Sequence, residues 1–177
     1  MRLFIAINFD ENIKRLVKHI INEIKKDSIQ GRFVKEEHLH LTLKFIGQVS
    51  HKDLDKIMRV MDRAIVEGFT MKLKGIDFFK RKDGHIYFIG VEENRFLFDL
   101  QRQIHEGLKA QGFSLEDRVY KPHITIGRRI KLNKNFSLEK LVKAIDPITI
   151  DVCKIDLMKS EHINGELVYS PIYTRRL

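Results

Sequence analysis

The chain switches between two hydrophobic periods, and it does so twice in the same order. "LFIAINFDENIKRLVKHIINEIKK" (3–26) begins as an apolar strand and continues as a helix with acidic residues in its first turn. "YFIGVEENRFLFDLQRQIHEGLKAQG" (87–112) has the same order, again with acidic residues expected in the first turn. Each is followed by a short alternating strand, "HLHLTLKFIG" (38–47) and "KPHITIGRRI" (121–130), that ends at or near a glycine. A helix then follows in each copy. In the first, Leu54, Ile57, Met58, Met61, Ile65 and Phe69 keep helical spacing behind a Ser50 cap; in the second, "SLEKLVKAI" predicts a shorter helix capped by Ser137, with Glu139 in its first turn. Both copies close on a hairpin, 74–91 and 153–172, with Asp83-Gly84 and Asn164-Gly165 as two-residue turns suited to positive φ.

This order predicts an internal repeat of about 1–85 and 86–177, without a Pro/Gly/Ser-rich linker between the copies. The expected fold is α+β: a single bilobal domain whose two pseudo-symmetric lobes of mostly antiparallel sheet carry helices on their outer faces and share a central groove. At 177 residues, one compact domain is the natural size.

Within the alternating strands, the same tetrad occurs twice: His40-Leu41-Thr42-Leu43 and His123-Ile124-Thr125-Ile126. Side chains on a strand alternate between faces, so each His/Thr pair projects from one face while its apolar neighbours enter the core. A pseudo-twofold axis lets both pairs face one groove. A core has no need for such a polar coincidence, whereas in-line displacement at phosphorus needs a base on one side and an acid on the other. Imidazole, with an ordinary pKa of about 6.5, serves either task near neutral pH. Threonine hydroxyls suit the non-bridging oxygens, and Arg128 adds a charge-assisted contact. No cluster with zinc-like ligand spacing accompanies either motif, so no metal and no cofactor is expected.

Charge widens this picture. With 33 Lys and Arg against 24 Asp and Glu, the formal net charge is +9, which favours a polyanionic partner such as RNA. Lys44, Lys121 and Arg129 are candidates for steering phosphate, and Phe45, Tyr87 and Tyr120 for stacking on a base, although packing is the commoner fate of strand aromatics. His38 should share the face of His40. The single cysteine, Cys153, sits among apolar residues and is expected to be buried and inert. The opening apolar run is too short for a membrane span and lacks the form of a signal peptide, so a cytoplasmic protein with no membrane partner is expected.

"HLHLTLKFIG", "KPHITIGRR" and the opening "MRLFIAINFDENI" resemble the signature segments of the two-histidine phosphoesterase superfamily, in its 2′-5′ RNA ligase, or RNA 2′,3′-cyclic phosphodiesterase, branch. The likeness covers essentially the whole chain. It implies metal-independent opening of a terminal RNA 2′,3′-cyclic phosphate to a 2′-phosphate, with joining of RNA ends through a 2′-5′ bond as the reverse type of reaction. It also implies roles: His40 as general acid, His123 as general base, and Thr42, Thr125 and Arg128 on the phosphate oxygens. RNA with cyclic phosphate ends, tRNA fragments among them, is the implied substrate of a monomer. A non-catalytic RNA-binding module and a phosphodiesterase for small cyclic nucleotides are the alternatives that the same residues allow.

Overall fold

The computed structural model describes residues 1–177, the side chain of Ala144 excepted. The first half of the chain contains β1 (Arg2–Asn8), α1 (Glu11–Lys26), β2 (Ser28–Phe33), β3 (His40–Gln48), α2 (Leu54–Arg63) and β4 (Phe69–Phe79). The remainder runs β5 (His85–Val91), α3 (Arg95–Ala110), β6 (His123–Leu132), α4 (Leu138–Ala144), β7 (Thr149–Val152), β8 (Lys154–Ile163) and β9 (Glu166–Arg176). The fold is α+β, with two antiparallel sheets in the orders β3-β1-β8-β9 and β2-β6-β5-β4-β7.

The pairing crosses between the two halves of the chain. β1 lies between β3 of its own half and β8 of the second half, while β5 lies between β6 of its own half and β4 of the first. Each sheet is therefore built from both halves of the chain. β3 packs along β6 where the two sheets meet.

Burial explains why these segments adopt their elements. Leu3, Ile5 and Ile7 of β1, Leu41 and Leu43 of β3, Ile124 and Ile126 of β6, and Ile155 and Leu157 of β8 enter one apolar cluster. The helices close this cluster from outside: Val17, Ile20, Ile21 and Ile24 of α1, and Leu97, Leu100, Ile104 and Leu108 of α3, recur every three or four residues or side by side as a buried stripe. Asp10 caps α1 by accepting from the Ile13 amide at 2.8 Å, and Asn94 caps α3 by accepting from the Leu97 amide at 3.0 Å. The opposite faces of the sheets line the groove. Phe4, Ala6 and Met158 form a separate buried cluster there, with Tyr169 packed against it.

Several expectations are corrected. Helix α2 stops at Arg63: Ile65 is 89% exposed, and Phe69 lies opposite Val152 at the start of β4. Sheet pairing with β7 outweighs the continued helical period. Asn164-Gly165 forms the anticipated turn, with φ of 52° and 82° between paired Ile163 and Glu166, but Asp83-Gly84 does not. Phe79 pairs with Ile86, and His85 is taken by Ile130 of β6, so the connection is longer; Gly84 (φ 104°) packs so closely on the Arg129 backbone that a Cβ would lie 2.6 Å from it. The first turn of α3 holds no acidic residue, because Glu92 and Glu93 precede its cap. Cys153 is exposed, at the step where the chain passes from β7 in one sheet to β8 in the other. No helix among the described residues is long and apolar enough to cross a membrane.

Candidate active site

The two His/Thr strands are β3 and β6, and both begin at the histidine. Each imidazole is held in the same way. His40 Nδ1 lies 2.7 Å from the carbonyl of His38, and His123 Nδ1 lies 2.7 Å from the carbonyl of Lys121, in each case two residues back. A carbonyl only accepts, so Nδ1 must carry the proton and donate it, which leaves Nε2 as the titrating nitrogen on both rings. His40 Nε2 is 3.1 Å from the Thr42 hydroxyl.

An aromatic wall backs each ring. Phe4 of β1 and Tyr169 of β9 flank His40, at 4.9 and 5.4 Å between centroids, and Tyr169 also touches His38 at 4.8 Å. Phe79 of β4 and Phe88 of β5 flank His123, each at 5.3 Å. The Lys121 ammonium lies over Phe88 at 4.8 Å and pairs with Asp77 at 3.3 Å. Beneath the His40 side, Asp156 is buried and accepts from Asn8 Nδ2 at 2.8 Å and from the Thr174 hydroxyl at 2.6 Å. Those bonds tie β1, β8 and β9 together across the groove floor.

The rings share one electrostatic environment. Burial is the main force lowering the pKa of His40, opposed by its bond to the His38 carbonyl, with the charges of His38, Arg128 and His123 lowering it further. Burial likewise lowers His123, opposed by the Lys121 carbonyl, and the charges of Arg128 and Lys121 act in the same downward direction. The charge of Arg128 thus acts on both imidazoles. It does so because β6 carries a bulge: Tyr87 pairs with Gly127 and Phe88 with Thr125, so Ile126 is the extra residue and the alternation shifts phase. In a regular strand Arg128 would share the core face of Ile124 and Ile126.

Since both pKa values lie below the ordinary 6.5 or so of imidazole, the free protein should show maximal kcat/KM on the acid side of that value. A bound phosphate anion favours the cationic ring, so the kcat profile should move to higher pH. Parallel pH profiles of the two parameters test this; an optimum well above 7 for kcat/KM would contradict it. The sign for stability agrees. Protonation favours the unfolded chain, so this contribution is intact above pH 6.5 and is lost as pH falls through the folded values.

His40, Thr42, His123 and Thr125 are each half-buried at this groove, and Arg128 is exposed at its edge. His38 lines the groove through its contact with Tyr169, although it belongs to a 3₁₀ turn (Glu36–His38) rather than to β3. Lys121 stands beside His123, whereas Lys44 donates to the Glu116 carbonyl at 2.8 Å and Arg129 sits in a left-handed conformation (φ 56°) against the β4–β5 connection. Of the candidates for stacking on a base, for which packing is the commoner expectation, Tyr87 belongs to the core and Phe45 lies under the Arg2 guanidinium at 4.9 Å. Tyr120 donates to the Thr42 carbonyl at 3.1 Å, and burial pushes its phenol pKa far up, so it remains a donor that steadies β3. Phe4 and Phe88, which flank the histidines, are hidden in the sequence because "RLFIAIN" and "HIYFIGV" are apolar on both faces, which conceals the face turned to the groove.

Two sheets that meet at paired His/Thr strands define a two-histidine phosphoesterase. The chain belongs to the 2′-5′ RNA ligase superfamily, whose family model matches residues 10–164. An RNA 2′,3′-cyclic phosphodiesterase of Thermotoga maritima is 33% identical over 98% of this chain and 94% of its own length. A protein of the same name from Methanothermobacter thermautotrophicus is 29% identical over 100% of this chain and 99% of its own. Among solved structures, Escherichia coli LigT in its apo form superposes with a TM-score of 0.80 at 24% identity, covering 99% of this chain and 96% of that one, which supports the fold.

Proposed function

We propose that the chain is an RNA 2′,3′-cyclic phosphodiesterase that opens a terminal cyclic phosphate to a 2′-phosphate. The observation that carries this reading is the matched pair of imidazoles, each with Nδ1 fixed on a backbone carbonyl and both within the field of Arg128. Relatives across bacteria and archaea bear the name of this activity.

In the mechanism, the cyclic phosphate lies between the two rings. Neutral His123 accepts a proton from water at Nε2 as that water attacks phosphorus. Cationic His40 donates from Nε2 to the departing 3′ oxygen, following the family assignment of acid and base. Thr42, Thr125 and Arg128 stabilise the charge on the non-bridging oxygens. Water leaves one proton on His123 and the 3′ oxygen takes one from His40, so exchange with solvent resets the pair. Both halves of the site come from one chain, which supports a monomer as the working unit, and the lone unpaired thiol fits a reducing cytoplasm.

Cations beyond the site support an RNA substrate, with tRNA fragments as one source. Arg32 of β2 lies opposite Arg128 of β6, and Arg129 and Lys131 continue this basic flank. The test is turnover of an oligonucleotide ending in 2′,3′-cyclic phosphate, with chelator present and the new end group identified. A 2′-phosphate formed at an unchanged rate in chelator, and more slowly as salt rises, is expected. A 3′-phosphate product, or activity abolished by the chelator, would refute the mechanism.

A further inference from the structure

The groove floor on the His40 side continues past Phe4. Sheet register sets four residues in one row across β3, β1, β8 and β9: Gln48, Arg2, Ser160 and Tyr169, each the cross-strand partner of the next. Along β1, Arg2 shares the groove face of Phe4 and Ala6, while Leu3, Ile5 and Ile7 enter the core. The Arg2 row therefore lies two residues, about 7 Å, beyond Phe4. Phe4 and Tyr169 are the rings that flank His40, so this row borders the acid end of the site.

Phe45 reaches the same face only through irregular pairing. The alternation of Leu41 and Leu43 would carry it into the core. Instead, Ala6 pairs with Thr42, Ile5 with Lys44, Phe4 with Phe45 and Leu3 with Gly47, so Leu43 and Ile46 are extra residues on β3. The bulge at Leu43 reverses the phase: Lys44 turns outward to the Glu116 carbonyl, and Phe45 turns to the groove, 47% exposed. The Arg2 guanidinium lies over its ring at 4.9 Å, which fixes the cation beside the Gln48 amide and the Ser160 hydroxyl of its own row. Glu161, next along β8, faces the other side of the sheet and pairs with Lys159 at 2.6 Å, which leaves Arg2 without a carboxylate partner among the described residues. An exposed guanidinium held flat on a ring, with neutral donors at its sides, suits a phosphodiester.

A 3′ oxygen departing toward His40 puts its ribose, and the strand that continues from that ribose in the 5′ direction, on this side of the phosphorus. We infer that Arg2, stacked on Phe45 and flanked by Gln48 and Ser160, binds the phosphodiester immediately upstream of the terminal nucleoside. Arg2 is thus the residue that makes an RNA strand a better substrate than a lone nucleoside cyclic phosphate. This deepens the proposed function and rests on it, and on His40 as the acid. Arg2 takes no part in proton transfer. Its contact is the same before and during displacement, so it lowers KM for the strand and leaves kcat alone.

The experiment compares three substrates: a nucleoside 2′,3′-cyclic monophosphate, a short oligonucleotide with the same cyclic end, and that oligonucleotide with a neutral methylphosphonate at the upstream linkage. The parent should show a KM about tenfold lower for the oligonucleotide than for the mononucleotide, the effect of one charge-assisted contact, and the methylphosphonate should erase most of that gain. Arg2→Ala and Arg2→Gln should raise KM for the natural oligonucleotide about tenfold with kcat retained, and should leave the other two substrates within about twofold of the parent. Arg2→Lys, which keeps the charge, should recover part of the loss. Equal parent KM values for strand and mononucleotide would overturn the inference, as would variants that raise KM alike on all three substrates. A methylphosphonate substrate that binds the parent as well as the natural strand would overturn it without recourse to any variant, so misfolding cannot obscure the result. The proposed function survives each of these outcomes; a parent that turns over none of the substrates removes that function itself.

Discussion

Replacing His40 or His123 by alanine should reduce turnover of a cyclic-phosphate RNA end by about 10²–10⁴-fold, the usual range for positioned acid–base catalysis. The two losses should not multiply in the double variant, because proton delivery and removal serve one displacement step. Both rings are half-buried at a groove rather than enclosed in the core, so the variants should fold, as circular dichroism would verify. The pH profile carries further information. His123→Ala should abolish the acid limb and His40→Ala the alkaline limb, and the reverse pattern would exchange their roles. A rate within tenfold of the parent for either variant would eliminate that ring as a proton-transfer group.

Thr42→Val and Thr125→Val are expected to have the next largest effects, each lowering kcat by about a hundredfold. Valine keeps the volume and branching of threonine but removes the hydroxyl proposed to meet the charged phosphate oxygens, and loss of one such donor costs about 10²–10³-fold in comparable sites. The two differ in one respect. Thr42 also lies 3.1 Å from His40 Nε2, so Thr42→Val should move the alkaline limb, which reports the acid, while Thr125→Val should leave it in place. A raised KM with unchanged kcat would mean that the hydroxyls bind the ground state and transition state alike.

How far these features can be read from sequence depends on how strongly each is constrained locally. His40, Thr42, His123 and Thr125 are visible because a period of two, interrupted by polar residues at matching places, seldom arises from core packing alone. Arg128 stands out by its chemistry and nearness to the motif, while the bulge at Ile126 that takes it off the core face is a property of pairing with β5. Phe4 and Phe88 are hidden by strands that are apolar on both faces. The Asn8–Asp156–Thr174 network joins residues almost 150 positions apart, and no local pattern announces such a contact. The end of α2 and the long β4–β5 connection escape a local reading for a similar reason: a distant strand decides each, through Val152 opposite Phe69 and Ile130 opposite His85.

The exchange of β4 and β8 between the sheets has a consequence for how the molecule is made. Arg2 pairs with Ser160, so β1 waits for a strand more than 150 residues further along before its second edge is covered. Contacts of such high sequence separation close slowly. A growing chain therefore cannot assemble the groove until β8 has emerged, and its exposed β1 edge in the meantime is a natural place for a chaperone to hold it.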